Sequence, residues 1–214
     1  GYTPSEIAER LKLPKSLAGN FHLRGYYGTL SHNSKAVYQH YFGWYQGNPA
    51  QLNPLPPEQS SVRYVEFMGG AEAILHKASE SMQRGEYRWV AEVLNHLVFA
   101  QPDNDAALQM LAYAYRQLGY QAEAGTWRGA YLMGAQELRN GTTTSHRTSG
   151  LSPDVLQALE TGMFFDLMAV RLNAQQAEGK HLVINWRLTD TNEQYRLNLQ
   201  NATLTYRENA QADN

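Results

Sequence analysis

The strongest constraint in this sequence is a repeat. Residues 71–104, AEAILHKASESMQRGEYRWVAEVLNHLVFAQPDN, align without gaps on residues 105–138, DAALQMLAYAYRQLGYQAEAGTWRGAYLMGAQEL, at a period of 34 residues. Gly85 falls on Gly119, and Pro102 stands where a tetratricopeptide (TPR) unit places its closing proline. Each unit of this kind is a pair of helices that cannot cover its own apolar face and must stack on a neighbour. In the second unit Leu111, Ala112, Tyr115, Gly119 and Ala124 take the small and large positions by which paired helices interlock. Two units are fewer than the roughly three such arrays need, so flanking helices or a partner subunit must close the open ends. The class expected is mainly α, built around two TPR-like helix pairs.

The pattern is helical from Ser60 to Arg139, and Gly69-Gly70, Gly85 and Gly119 mark the expected helix ends. Ahead of it, Thr3, Pro4 and Glu6 form the signature of a capping box, predicting a helix that runs to about Leu11 and stops before Pro14. A second helix is predicted from near Ser34, carrying Val37, Tyr38, Tyr41 and Trp44 or Tyr45. The stretch 47–59, GNPAQLNPLPPEQ, holds four prolines, which fix φ and remove donors, and it reads as a loop.

Residues 140–150, NGTTTSHRTSG, are polar and bracketed by glycines, as a linker would be. Beyond them SPDVLQALETGMFFDLMAVRLN suggests two short helices, with an apolar face of Met163, Phe164, Leu167, Met168 and Val170. Three alternating segments follow: HLVINWRL with Leu182, Ile184, Trp186 and Leu188 on one side, EQYRLNLQ with Tyr195, Leu197 and Leu199, then ATLTYR. TDTNE makes the first hairpin turn. Three strands and two helices form a small α+β unit with an open sheet edge, which is a liability in an isolated domain. The second domain is therefore expected to be cut short.

Composition narrows the chemistry. The balance of 18 Lys+Arg against 20 Asp+Glu gives no pull on phosphate backbones, so nucleic acid is not expected as a partner. No run approaches the ~20 apolar residues of a membrane helix, so no membrane span is expected. There is no signal peptide at the start, and the missing initiator Met suggests that something precedes Gly1. The absence of cysteine removes thiolate metal sites and cysteine nucleophiles. Histidines 22, 32, 40, 76, 96, 146 and 181 form no metal-ligand pair, and no nucleophile elbow, phosphate loop or dinucleotide fingerprint occurs. Glu66, Glu72, Glu80 and Glu86 read as solvated helix faces. No catalytic residue and no metal ligand is assigned to this chain.

The stretch 24–49, RGYYGTLSHNSKAVYQHYFGWYQGNP, carries seven Tyr, Phe or Trp side chains. A single-strand nucleic-acid platform would need a basic groove beside them. In RGYYGTLSHN, Gly25 and Gly28 bracket Tyr26 and Tyr27, and a loop of this kind can present phenol, imidazole and amide groups to an anionic oxygen such as that of a sulfate. Half-buried packing is the other reading, and composition alone leaves both open.

Long motifs then decide the matter. GYTPSEIAERLKLPKSL, RGYYGTLSHNSKAVYQHYFGWYQGNPAQLNPLPP, YVEFMGG and LGYQAEAGTWRGAYLMGAQELRNG closely resemble the linear alkylsulfatases, zinc enzymes of the metallo-β-lactamase superfamily. The resemblance implies a layout of a catalytic domain, a helical dimerisation domain and a small domain like sterol carrier protein 2 (SCP-2-like). It implies hydrolysis of alkyl sulfate esters, including detergents such as SDS, by water activated at two zinc ions. The His-x-His-x-Asp-His signature of the catalytic domain is absent, so this chain resembles a non-catalytic portion that is inactive and zinc-free by itself. Residues 1–140 resemble the end of the linker and the dimerisation domain; residues 151–214 resemble the first part of the SCP-2-like domain.

Carried over residue by residue, the resemblance makes Tyr26, Tyr27, His32 and Asn33 the candidates for contacting sulfate or the cleft rim. The helix with Val37, Tyr38, Tyr41, Trp44 and Tyr45 would serve core and dimer contacts. Phe164, Phe165, Met168 and Trp186 would line an apolar face for the alkyl chain or, on the plainer view, pack a core. The implied partners are a second copy of the chain, the catalytic domain of the same protein and an alkyl sulfate. By resemblance the intact protein is bacterial and periplasmic or secreted. A stand-alone TPR-like interaction module and a free lipid carrier are the competing readings.

Overall fold

Local start signals set the helices in place. The computed structural model describes residues 1–142 and 152–209. Helix α1, Pro4–Arg10, begins at a complete capping box: Glu6 N–H donates to Thr3 Oγ1 at 3.3 Å and Thr3 N–H to Glu6 Oε2 at 2.7 Å. A single turn, α2 (Lys15–Ala18), follows Pro14. Helix α3, Leu30–Phe42, starts four residues before the predicted Ser34, because the Thr29 hydroxyl accepts the His32 N–H at 3.0 Å and caps it. It ends where Gly43 takes φ 76°, so Trp44 and Tyr45 lie outside the helix that was expected to carry them. The proline-rich stretch is irregular only in part, since Pro57 occupies the first turn of α4, Pro57–Phe67.

The repeat becomes two helix pairs, α5 (Gly70–Gln83) with α6 (Tyr87–Ala100), and α7 (Asp105–Gln121) with α8 (Gly125–Asn140). Two of the three expected glycine stops hold. Gly69 and Gly70 sit at φ 94° and 87°, and Gly85 at φ 74°, a region that favours glycine. Gly119 does not end a helix: α7 runs two residues past it. A Cβ there would stand 2.8 Å from Leu132 Cδ2, so close approach of α8 selects the glycine, not a turn.

Helix α6 is the axis of the core. Val90, Leu94 and Leu97, at i, i+4 and i+7, are fully buried among Val65, Ile74, Ala78, Ala107, Leu111 and Ala114. The interlocking positions read from the sequence follow suit: Leu111, Ala112, Gly119 and Ala124 are buried, and Tyr115 is half-buried against Tyr131 with ring centroids 5.9 Å apart. One open end of the pairs is closed by α4, which packs on α6. Buried Ser61 of α4 shares a 3.2 Å hydrogen bond with His96 Nδ1 of α6, and the His96 ring lies 4.5 Å from that of Tyr64.

Helices α1 and α3 pack on each other and bury no residue in the chain. Tyr41 and Phe42 of α3 are 75% and 72% exposed, so the core role expected for this helix is not found; its aromatic face points outward.

The chain divides into two compact units between residues 143 and 144, and the second stands by itself. The linker read at 140–150 lies, from residue 143 on, outside the described residues. Short helices α9 (Pro153–Ala158), α10 (Thr161–Val170) and α11 (Ala174–Ala177) precede an antiparallel meander of β1 (Leu182–Leu188), β2 (Glu193–Gln200) and β3 (Thr203–Glu208). Asn201 and Ala202 at φ 50° and 55° make a tight β2–β3 turn whose twist suits the strands. The register sets Ile184 opposite Leu197 and Leu197 opposite Tyr206 on one face.

Helix α10 turns a different residue inward from those predicted. Phe165 is 1% exposed, in edge-to-face contact with Trp186 and Tyr195 at 5.5 and 4.9 Å, whereas Met163 and Phe164 lie outside and Val170 is 85% exposed. The helix is too short and too uniformly apolar for its period to be read, so the sheet beneath decides which side is buried. Phe165, with Met168 packed on it, belongs to the core of this unit, as the plainer view held.

Candidate functional site

The first two of the four candidate residues sit in a loop that the helical body holds by its main chain. Gly125 N–H, at the start of α8, donates to Tyr26 O at 2.7 Å, and Thr126 Oγ1 donates to Tyr27 O at 2.7 Å. The Arg24 guanidinium pairs with Glu123 at the same corner. Inside the loop a Cβ on Gly25 would meet Gly28 O at 3.1 Å, and one on Gly28 would meet Asn33 Oδ1 at 3.3 Å. The two glycines thus allow the chain to fold tightly over the first turn of α3.

This anchoring separates the candidates. Tyr27, 81% exposed, and His32 share a cleft of ≈ 770 Å³ between α1, α3, α7 and α8. The His32 ring stands edge-on to Trp127 of α8, centroids 5.0 Å apart. Tyr26 and Asn33 do not line that cleft. Tyr26 packs on Phe21 at 5.1 Å with Arg24 over its ring at 5.3 Å, and Asn33 lies against Gly28. His32 and Asn33 belong to the helix rather than the loop, because Thr29 starts α3 early.

Sequence reasoning missed much of the wall. Lys35 stands one turn beyond His32 on α3, and Trp127, Ala130 and Tyr131 on α8, with Leu118 on α7, supply the apolar side. Arg88 of α6 enters from the other side and donates from Nη2 to Glu9 Oε1 of α1 at 2.8 Å. The guanidinium holds the Glu9 carboxyl below its ordinary range, with Lys35 adding to the effect, and Glu9 in turn raises Arg88. That contact joins residues 79 apart in sequence, and no local motif announces it. The one signal available was the 3-residue and 4-residue spacing of Ser31, His32 and Lys35 on a common helical face.

The arrangement can bind; nothing in it performs a displacement. Among the described residues no three His, Cys, Asp or Glu side chains are grouped to hold a metal ion. Tyr27 hydroxyl, His32 imidazole, Thr126 hydroxyl and two cations offer donors to an anion, beside a strip of aromatic and aliphatic surface. No described helix is long and apolar enough to cross a membrane.

Comparison with known proteins bears out the resemblance read from the motifs. Residues 3–141 match the family model "Alkyl sulfatase dimerisation", and residues 149–214 match "Alkyl sulfatase C-terminal". The chain is 54% identical over 213 residues to the alkyl/aryl-sulfatase BDS1 of Saccharomyces cerevisiae, covering 100% of this chain and 33% of that protein. It is 51% identical over 214 residues to a linear primary-alkylsulfatase of Pseudomonas sp, covering 100% and 32%. The solved structure of the stereoselective inverting sec-alkylsulfatase Pisa1 from Pseudomonas sp. superposes with a TM-score of 0.92 at 45% identity, over 98% of this chain and 33% of that one. The chain therefore spans about a third of the length of the curated relatives it matches. The mainly helical fold with a small antiparallel sheet at its end agrees with the class expected from the sequence.

Proposed function

The chain belongs to the alkylsulfatase family, and on that premise we propose that it is the non-catalytic portion of a zinc-dependent alkylsulfatase of the metallo-β-lactamase superfamily. The intact protein would hydrolyse alkyl sulfate esters, SDS among them, to the alcohol and sulfate. The observation that carries this reading is the match of both family models along almost the whole chain, with alkylsulfatases as relatives throughout. A stand-alone interaction module or a free lipid carrier has no comparable support.

The described residues do not fit the two zinc ions, so no catalytic step is derived through them here; the ions belong to a catalytic domain that this chain does not contain. What the chain contributes is a wall and a platform. Tyr27 and His32 present a hydroxyl and an imidazole N–H, groups suited to donating to sulfate oxygens. Tyr26 and Asn33 shape the loop that carries Tyr27. The TPR-like pairs α5–α8 hold that wall rigid, and the outward aromatic face of α3 supplies apolar, uncharged surface of the kind found at the centre of a homodimer interface. The SCP-2-like unit, with Phe164, Met163 and Val170 outside its core, offers apolar surface to the alkyl chain. A periplasmic or secreted location for the intact protein rests on its Pseudomonas relatives alone, and cell fractionation tests it.

The decisive assay measures hydrolysis of dodecyl sulfate and zinc content for this chain alone and for the chain joined to an upstream segment bearing His-x-His-x-Asp-His. The chain alone should be inactive and zinc-free, and the joined protein active. Activity in the 214 residues by themselves would overturn the proposal. In the joined protein Tyr27→Phe and His32→Ala should raise KM or lower kcat; unchanged values return both residues to packing. Light scattering should give about twice the 24.2 kDa chain mass, and a monomer would remove the interface.

A further inference from the structure

We propose that the cleft between α3 and α8 is a binding site for a single-tailed anionic amphiphile, with Lys35 as the anchor for its head and the Trp127–Ala130–Tyr131 strip as the bed for its tail. The choice of ligand rests on the alkylsulfatase reading; the site itself rests on geometry.

The charges facing the cleft are Glu9, Lys35 and Arg88. Glu9 is engaged by Arg88 at 2.8 Å, so the pair largely cancels and one cation is left in excess. Among the described residues Lys35 makes no hydrogen bond or ion pair, and Glu9, whose carboxyl it helps to lower, is already taken. A half-buried ammonium without a bonded partner beside aromatic surface is an incomplete arrangement that an anionic head completes. Behind it Trp127, Ala130, Tyr131 and Leu118 lie on adjacent turns of α8 and on α7, giving a continuous apolar strip with Ala130 as its low point. Trp127 is fixed by the edge-on His32 ring, so the strip is formed before a ligand arrives.

Volume agrees with this occupant. The cleft of ≈ 770 Å³ falls within the roughly 300–1,000 Å³ of small-molecule sites, and such sites combine an apolar lining with a few convergent polar groups. A cationic amphiphile would meet Lys35 and Arg88, and inorganic sulfate would leave the strip bare. The fit is to the two-part molecule, whether a sulfate ester or a fatty carboxylate.

The test titrates the full chain with sodium decanesulfonate, which cannot be hydrolysed at its C–S bond, kept below its micellar concentration. Binding is read by calorimetry and by fluorescence; Trp127→Phe assigns the signal among the four tryptophans. Decanesulfonate should bind saturably at one site per chain. Lys35→Gln should weaken it about tenfold, the scale of one hydrogen bond to a charged group. Lys180→Gln, the same charge change in the other unit, should leave affinity unaltered. Trp127→Ala should weaken decanesulfonate and decanoate alike, and circular dichroism confirms that each variant is folded. Decanoate binding as tightly as decanesulfonate assigns the site to anionic amphiphiles at large, and selectivity for decanesulfonate assigns it to the sulfur oxyanion. Equal loss in Lys35→Gln and Lys180→Gln, or decyltrimethylammonium binding as tightly as decanesulfonate, overturns the proposal. The outcome is independent of hydrolysis: a joined protein without sulfatase activity whose chain still binds through Lys35 would overturn the function and leave the site standing.

Discussion

On α6, Val90, Leu94 and Leu97 repeat at helical spacing and are fully buried; on α3, Val37 and Tyr41, and Tyr38 and Phe42, repeat at the same spacing and lie largely in solvent. Both helices would score as apolar-faced on a helical wheel. The difference lies in what stands opposite. α6 is enclosed by α4, α5 and α7, whereas α3 has only the short α1 and the edge of α8 beside it. An apolar stripe tells that a helix face seeks a partner, and it does not tell whether the partner is in the same chain.

The sharpest way to break this comparison is to truncate one residue on each side. Leu94→Ala should destabilise the chain by ~2–5 kcal/mol, because a fully buried leucine leaves a cavity that its neighbours cannot fill. Urea unfolding measures it, and a loss under ~1 kcal/mol would mean that α6 is not the axis of the core.

Next in size is the contrast between two glycines that the repeat equates. Gly119→Ala should cost about 1–3 kcal/mol, since the new Cβ would press on Leu132. Gly85→Ala meets no atom within 4 Å and suffers only from its φ of 74°, so its cost should stay near 1 kcal/mol. Equal losses would show that the two positions play one role after all.

Phe42→Ala should change the unfolding free energy of the dissociated chain by no more than ~0.5 kcal/mol, as exposed positions do. The same variant should raise the dimer dissociation constant measured by sedimentation. A large loss in the monomer would place α3 in the core.

The smallest effect belongs to Glu9. Its folded pKa lies below the ordinary carboxylate value of ~4.3, so the contact with Arg88 stabilises the fold above that value. The contribution is lost as pH falls through the lower folded pKa. An NMR titration of the Glu9 carboxyl should show a midpoint below the usual range, and Arg88→Gln should move it back up. A midpoint unchanged by Arg88→Gln would mean that the contact does not persist in solution.

Local chemistry made part of this legible in advance. The capping box at Thr3, the glycine turns at 69–70 and 85, the two helix pairs and the alternation of β2 were all readable because each depends on neighbours in sequence. Gly119 was misjudged because a glycine selected by another helix looks the same as one selected by a turn. Phe165 was overlooked because nearly every residue of α10 is apolar, leaving no period to choose a face. Of the candidate site, Tyr27 and His32 could be named, but their separation from Tyr26 and Asn33 follows from one hydroxyl, that of Thr29, starting a helix early. Lys35, Arg88 and Trp127 reach the cleft from three different helices, a convergence written only in tertiary structure.

The fastening of the aromatic loop has a consequence for how such a wall can vary. Tyr26 and Tyr27 are bound to α8 through their carbonyl oxygens, which every amino acid possesses. Their side chains can therefore be exchanged while the main chain stays docked, so substrate preference can drift, or be selected in a library at these two positions, without the loop being built anew.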